Sequence, residues 1–215
     1  MAGLHPWELA WKEGRWYEVS PPFPAVIEFA VQLKEVGAKT VLDFGCGAGR
    51  HSVCMAKQGF HVVGFDVSST ALRTMNQRLK SESLEGVLIV ESEMSGLPFV
   101  DECFDAVVGT NVLHHATTVG IRRAVDEIHR VMGEGASGLI VTLSENDYKN
   151  GSGRLLEAGT YVLTEGDEQG IMHHFFSKEE LLSCFGAFEI LSIKEELIPM
   201  ERGNRGHFYL NFKKG

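Results

Sequence analysis

The segment from Asp43 to Arg50 combines a carboxylate with glycines at every second position. It reads Asp-Phe-Gly-Cys-Gly-Ala-Gly-Arg and follows the short apolar run of residues 40–42, which is typical of a buried parallel strand. Glycines let the chain turn tightly and let a ligand touch the backbone, and a following helix offers free N–H groups. The charge of Asp43 would repel a pyrophosphate and attract a ligand that carries ammonium and sulfonium groups.

Two cofactors suit such a turn, and Arg50 distinguishes them. The nicotinamide dinucleotide fingerprint needs glycine or alanine for close helix–strand packing at the position that Arg50 occupies. S-adenosylmethionine (SAM) carries both an ammonium and a sulfonium, so Asp43 favours it. Asp66 ends a second strand-like run, where either cofactor would use it for the ribose hydroxyls; a strand-end acid that caps the next turn is the alternative. We therefore expect SAM as the cofactor.

Composition narrows the class of protein. A chain of 215 residues with 44% hydrophobic residues fits one domain with a sizeable core. The net charge of -9 argues against nucleic acid as the main partner. The four cysteines show no paired spacing, no signal-peptide pattern opens the chain and no apolar run reaches about 18 residues. We expect free thiols, a cytoplasmic location and no membrane span.

Strand-like and helix-like segments alternate along the chain, which predicts a parallel α/β sheet. The expected strands are residues 40–44, 61–66, 87–91, 104–108 and 138–143, and the expected helices are residues 25–36, 48–58, 69–82 and one that spans 121–132. Ser177 and Glu180 stand in capping-box register before a further helix. Residues 188–197 and 206–213 are expected to close the fold as an antiparallel hairpin.

Two regions depart from this pattern. Residues 1–24 hold all three tryptophans and several prolines, and we interpret them as an N-terminal flap. Residues 144–176 are polar and glycine-rich without a clear period, and such a long loop is usually functional or mobile. The expected organisation is a flap at 1–24 and a single domain at 25–215 with a long insertion at about 144–176.

The central part of the chain resembles class I SAM-dependent methyltransferases. Residues 41–50 are similar to the first motif of that family, and four further motifs follow in the family's order over residues 38–143. They are Glu93-Met94-Ser95-Gly96-Leu97-Pro98-Phe99, the run from Asp101 to Val107, Asn111-Val112-Leu113-His114-His115, and Arg130-Val131-Met132-Gly133-Glu134-Gly135. The resemblance implies a Rossmann-like, doubly wound, seven-stranded sheet that is mostly parallel, with an antiparallel C-terminal hairpin.

Some positions depart from the family pattern. Glu93 replaces an aspartate and so has a longer reach toward the adenine amino group, and Glu134 replaces a proline of a turn. No N/D-P-P-Y/F/W motif follows the fourth strand, which disfavours methylation of nucleobase amino groups or glutamine amides.

The resemblance implies a role for each cofactor residue. The backbone from Gly45 through Cys46 and Gly47 to Gly49 would hold the methionine moiety, with Asp43 facing the ammonium directly or through water. Asp66 would accept the ribose hydroxyls. The remaining candidates are Val67 against the adenine, Glu93 and Met94 at the adenine edge, Asn111 near the transferring methyl, and Trp16 over the carboxylate end. The alternative for Trp16 is a structural role, in which its side chain packs against the core and holds the N-terminus in place.

Two His-His pairs are candidates for the acceptor side. His114 and His115 follow the fourth strand, where ligands bind in open α/β sheets, while His173 and His174 end the insertion. General base, substrate contact and structural histidine are the open interpretations, and His115 and His174 are the favoured catalytic candidates. A metal needs about three or four convergent ligands, which the pairs supply only if they meet in space, so we expect no metal.

The expected function is methyl transfer from SAM to a small-molecule acceptor. A methyltransferase acting on tRNA or protein would need a clustered basic face, and the sequence shows only short pairs such as Arg122-Arg123. A non-catalytic SAM-binding protein is the third hypothesis. Acidic residues of the insertion would either line a site for a cationic acceptor or form a solvated loop, and the acceptor atom itself is not encoded in any motif, because function depends on the site rather than the fold.

Overall fold

The computed structural model describes residues 3–15 and 20–215. Its helices are α1 (Pro6–Lys12), α2 (Pro24–Glu35), α3 (Arg50–Lys57), α4 (Ser69–Ser81), α5 (Thr118–Val131) and α6 (Lys178–Cys184). Its strands are β1 (Thr40–Phe44), β2 (His61–Asp66), β3 (Val87–Glu91), β4 (Phe104–Thr110), β5 (Met132–Leu143), β6 (Arg154–Glu157), β7 (Thr160–Val162), β8 (Met172–His174), β9 (Glu189–Met200) and β10 (Gly203–Lys213).

Seven strands form one sheet in the order β3-β2-β1-β4-β5-β10-β9. The first five are parallel, whereas β10 pairs antiparallel with both β5 and β9. The predicted fold class is therefore confirmed, including its antiparallel C-terminal pair. Chain order reverses between β1 and β4, which makes this point the topological switch at which open α/β sheets bind ligands.

Successive side chains of each strand point to opposite faces of the sheet, so the hydrophobic core has two parts, one on each face. On β1, Val41 packs with residues of α2 and α3, whereas Leu42 and Phe44 belong to the cluster that contains α5 and α6. Successive strand side chains point to opposite faces, so the apolar run of β1 is buried on both sides. Helices on both faces hold the strand ends in place.

Residues 92–103 connect β3 to β4 without a helix. Arg130 on α5 holds this connection, because its guanidinium donates hydrogen bonds to the carbonyls of Leu97 and Phe99 and to the carboxylate of Asp101. Glu127 accepts from the N–H of Leu97 at 2.6 Å. The arginine of the Arg130-Val131-Met132 motif thus positions the segment that follows Glu93.

Three details differ from the sequence-based expectation. Strand β5 begins at Met132 rather than at 138, because its glycine-rich start shows no apolar period. Strand β4 continues to Thr110. The insertion contains a second, antiparallel sheet in the order β6-β7-β8, whose strands of four and three residues are too short to show a period of two.

Helix α1 is docked on the domain through Glu8. The Glu8 carboxylate accepts hydrogen bonds from Ser68 Oγ at 2.7 Å, Thr70 N at 3.1 Å and Thr70 Oγ1 at 2.9 Å. These donors lie at the start of α4, where free N–H groups and the helix dipole favour an anion. Burial raises the pKa of Glu8, but the hydrogen bonds from Ser68 and Thr70 outweigh it and lower the pKa to about 2.

Within the described ranges, no helix combines the length and apolar character needed to cross a lipid bilayer.

We expect Glu8→Gln to lower the free energy of unfolding by about 1–3 kcal/mol near neutral pH, because it removes a hydrogen-bonded charge. The folded-state pKa lies below the usual 4.5, so the stability that Glu8 contributes is complete above pH 4.5 and is lost as the pH falls toward 2. Urea unfolding of both proteins from pH 7 to pH 3 measures this difference.

Glu13→Gln is the control, since Glu13 lies at the end of the same helix, half-exposed and paired with Arg15. It should change stability by less than about 0.5 kcal/mol. An equal loss in both variants, or a pH-independent difference for Glu8→Gln, would contradict the docking role of Glu8.

Candidate functional site

A cavity of about 1370 Å³ lies at the carboxyl edge of the parallel strands. The loops after β1, β2 and β4 form its floor, while α1, the insertion and the start of β10 form its walls. Loop residues that the sequence singled out line this cavity, namely Gly45, Cys46, Gly47, Asp66, Val67, Glu93, Met94, Asn111 and His115. The structure thus brings together most of the predicted site.

The glycine loop between β1 and α3 is shaped by positive φ angles. Gly45, Gly47 and Gly49 have φ values of +71°, +54° and +79°, a region that is costly for residues with a side chain. A Cβ on Gly45 would lie 2.3 Å from Val112 Cγ2, and one on Gly49 would lie 2.5 Å from Met75 Cγ. Glycine is required here both for the turn and for the close approach of neighbouring residues.

Asp66 ties this loop to the next one. Its Oδ2 accepts the N–H of Gly47 at 2.9 Å, and its Oδ1 accepts the N–H of Ser68 at 2.9 Å. Burial raises the pKa of Asp66 above its usual range, while both backbone hydrogen bonds act in the opposite direction. Each oxygen retains a lone pair that is able to accept another donor.

Asp43 lies beneath the glycine loop rather than on the cavity wall. Its carboxylate is 2% exposed and accepts a hydrogen bond from Ser52 Oγ at 2.5 Å. Burial raises its pKa to about 6, although Ser52 and Arg50 act to lower it. Asp43 is therefore mostly ionised at neutral pH, and its charge acts through the loop.

Asn111 carries an unusual backbone and an unpaired side-chain atom. It follows β4 with φ +54°, and its Oδ1 is buried without a hydrogen-bond partner among the described residues. A buried acceptor without a partner costs free energy, and Asn111 lines the cavity. A ligand that brings an N–H or O–H donor would satisfy it.

Three histidines form the other end of the cavity. His114 and His115 come from the loop after β4, and His173 comes from β8 in the insertion. The ring centroids of His114 and His115 lie 4.2 Å apart, and those of His115 and His173 lie 4.7 Å apart. We name this group the histidine cluster.

His174 lies outside the cavity, although the sequence analysis favoured it as catalytic. Adjacent residues of a strand face opposite sides, so His173 faces the cavity while His174 is buried behind it. His174 Nδ1 lies 2.8 Å from Thr160 Oγ1, and its Nε2 lies 3.1 Å from a carboxylate oxygen of Glu180. This placement suits a structural histidine, and His173 takes the position that we expected for His174.

Helix α1 and the insertion close the cavity from two sides. Trp7 packs edge-on against His115 with ring centroids 4.7 Å apart, and Trp11 lies close to Gly47. Arg15 donates hydrogen bonds to the backbone carbonyls of Asp167 and Gln169 in the insertion. The predicted contact of Trp16 falls outside the described residues, and Gly49 supports the loop without lining the cavity.

Sequence reasoning included His173 and the acidic residues of the insertion among the candidates but favoured His174, and it did not single out Trp7 or Trp11 as cavity residues. The alternation of β8 would have separated His173 from His174, but a strand of three residues gives no period to detect. The contact between α1 and the glycine loop joins segments far apart in the chain, which no local pattern encodes.

Comparison with known proteins agrees with this geometry. Residues 41–135 match the family model described as a methyltransferase domain. This segment of the chain is therefore similar to methyltransferase domains. The matched residues run from β1 into β5, so they include the glycine loop, Asp66, Asn111 and the first two members of the histidine cluster.

Individual relatives are similar over different lengths. The demethylmenaquinone methyltransferase of Clavibacter sepedonicus is 33% identical over 109 residues, which make up 51% of this chain and 43% of that protein. This match spans less than half of that relative's length. A SAM-dependent methyltransferase of Methanosarcina mazei has the same fold, with a TM-score of 0.73 at 23% identity over 91% of this chain and 99% of the other.

The 1,6-didemethyltoxoflavin-N1-methyltransferase of Burkholderia thailandensis, solved with its substrate and S-adenosylhomocysteine, superposes with a TM-score of 0.69. The identity is 17%, over 100% of this chain and 91% of the other. At this identity the likeness shows the fold alone.

We expect Gly45→Ala to lower the free energy of unfolding by about 2–4 kcal/mol, because it adds a positive-φ penalty to a clash with Val112. Gly59→Ala is the matched control: Gly59 also has a positive φ, +90°, but its Cβ would meet nothing within 4 Å. Chemical unfolding of both variants measures the difference. Equal losses would mean that the loop relaxes away from Val112.

Proposed function

We propose that the protein transfers a methyl group from SAM to a small-molecule acceptor. The observation that carries the proposal is that one cavity joins the glycine loop of the methyltransferase motif to the histidine cluster. Its volume of about 1370 Å³ exceeds the roughly 300–1,000 Å³ of a typical single-ligand pocket. Two ligands therefore have room to lie end to end, with SAM along the loop and the acceptor against the histidines.

The residues at the loop end fit the charge of SAM. Asn111 Oδ1 is a buried acceptor in need of a donor, which an ammonium provides, and ionised Asp43 lies beneath the same loop. Gly45 and Gly47 carry no side chain, so the methionine moiety would approach their backbone closely. Cys46 is buried beside Met75, and it would contribute its backbone and apolar surface.

The adenosine would lie along the ends of β2 and β3. Asp66 keeps lone pairs free after binding Gly47 and Ser68, and we assign it to the ribose hydroxyls. Val67 would pack against the adenine, while Glu93 and Met94 would contact its edge; all three line the cavity.

SAM, when bound, supplies a methyl group that its sulfonium already activates. The residues of this chain then have to align the acceptor and exclude water. Trp7, Trp11 and the insertion provide the exclusion, because they cover the cavity from outside.

His115 would orient the acceptor. Its Nδ1 lies 2.9 Å from the carbonyl oxygen of Met172, which can only accept, so the proton is on Nδ1 and the lone pair of Nε2 is free. Burial and the neighbouring His173 lower the pKa of His115 to about 3, which keeps the ring neutral. His115 would accept a hydrogen bond from an acceptor O–H or N–H and take up the proton only as the new bond forms.

Two features support a small acceptor over tRNA or protein. The cavity is covered where Arg15 of the N-terminal segment meets the insertion, and the net charge is -9. Incubation with SAM and panels of phenols, carboxylic acids, amines and thiols tests the proposal, with release of S-adenosylhomocysteine as the readout. Micromolar SAM binding without turnover on any acceptor class would favour a non-catalytic SAM-binding protein.

We expect Asp66→Ala to weaken SAM binding at least about tenfold, because it removes a charged partner of the ribose hydroxyls. Calorimetric titration with SAM and S-adenosylhomocysteine measures this, with NADH as the negative ligand. Asp105→Ala is the control, since Asp105 also binds backbone N–H groups, those of Lys39 and Thr40, but at the opposite edge of the sheet. Unchanged SAM affinity in Asp66→Ala, or binding of NADH, would contradict the assignment.

We expect His115→Ala to lower kcat by about 10²–10⁴-fold, the usual range for loss of a proton-transfer group, with SAM affinity within about twofold of the unaltered protein. His61→Ala, which changes an exposed histidine at the start of β2, should change neither quantity. Loss of SAM affinity together with activity would show that His115 supports the loop rather than the acceptor.

A further inference from the structure

We propose that the histidine cluster is a metal site that binds one divalent transition-metal ion, with zinc as the best match. One ring nitrogen from each of His114, His115 and His173 lies within 4.8 Å of the other two. Three imidazoles that converge from two separate segments are the ligand set of many zinc sites. The sequence analysis predicted no metal because the two His-His pairs had to meet, and the structure brings three of the four rings together.

Backbone carbonyls orient two of the rings for coordination. His115 Nδ1 lies 2.9 Å from the carbonyl of Met172, and His173 Nδ1 lies 3.3 Å from the carbonyl of Ile171. Each carbonyl accepts a hydrogen bond from Nδ1–H, which leaves the Nε2 lone pair free. This is the arrangement in which metal-ligating histidines are usually held.

His114 is held from the sheet. Its Nδ1 accepts a hydrogen bond from the backbone N–H of Leu143 at 3.3 Å and lies 3.1 Å from Thr142 Oγ1. Metal binding through Nε2 requires the other tautomer, in which Nδ1 donates to the Thr142 hydroxyl and the Leu143 N–H is released. The ion would select this tautomer, because it is the one with a free lone pair on Nε2.

Glu168 provides a carboxylate next to the three rings. His173 Nε2 is buried and makes no hydrogen bond within the described residues, yet Glu168 Oε2 lies 3.3 Å away. Glu168 also pairs with Lys149, so a shift of this carboxylate toward the ion would exchange one cation for another. The three imidazoles leave the fourth tetrahedral position for Glu168, for water or for an acceptor, as in zinc sites that keep one position open.

The site has to contract slightly on binding. Zinc–nitrogen bonds of about 2.0–2.1 Å place tetrahedral ligand nitrogens roughly 3.4 Å apart, compared with the 4.8 Å limit observed here. Closing this gap requires movement of more than one of the three rings, of which that of His115 is only partly buried. Resting on the proposed function, an ion bound to His115 Nε2 would replace the direct contact of this nitrogen with the acceptor, and the site would favour acceptors with an oxygen or nitrogen atom able to bind the ion.

Chelator-treated full-length protein, titrated with Zn²⁺ against a chromophoric chelator, tests the metal site. We expect one equivalent to bind, and His115→Ala and His173→Ala each to weaken binding at least about tenfold. His61→Ala should leave binding unchanged. Co²⁺ titration separates the cluster from the free thiols at Cys46, Cys54, Cys103 and Cys184, because a thiolate ligand adds strong near-ultraviolet absorption that histidine ligands do not.

The result is independent of activity and of SAM binding, which calorimetry measures separately. His115→Ala is the decisive variant, since its partly exposed ring is removed with little loss of core packing; a circular dichroism melt of the metal-free protein verifies its fold. Less than half an equivalent of bound Zn²⁺, equal affinity in His115→Ala, or thiolate absorption with Co²⁺ would each overturn the proposal.

Discussion

The site depends on the two hydrogen bonds that the Asp66 carboxylate accepts from backbone N–H groups. The glycine loop has positive φ at three positions, and a chain in that conformation needs partners for its N–H groups. Asp66 supplies one through Gly47 and binds the start of the next loop through Ser68. Two strand ends of a parallel sheet are thereby locked at a fixed separation, and the cavity opens between them.

A second carboxylate extends this arrangement to the N-terminal segment. Glu8 binds the start of α4 directly after the loop that Asp66 holds. This anchor brings Trp7 against His115 and Trp11 over Gly47. Because α1 contacts both ends of the cavity, one helix covers the loop side and the histidine side together.

The histidine cluster shows how an insertion adds chemistry to a common fold. His114 and His115 belong to the domain, but His173 arrives on β8 of the small antiparallel sheet. That sheet is connected to the domain by the hydrogen bond from His174 N to the carbonyl of His114 and by the bridge between Ser144 and Phe176. The histidine cluster therefore combines two residues of the domain with one of the insertion, whereas the glycine loop belongs to the core strands alone.

The sequence by itself predicted much of the fold and of the glycine loop. The strand-like runs predicted the parallel sheet and its hairpin, and the spaced glycines with Asp43 and Asp66 predicted the loop, because strand period, turn chemistry and strand-end acids are local properties. The resemblance to methyltransferases implied the seven strands and the other candidates around the loop. Only the tertiary structure decided the rest. The choice of His173 over His174, the contact of Glu8 with α4 and the convergence of three imidazoles depend on which distant segments pack together, and that follows from burial across the whole domain rather than from any local pattern.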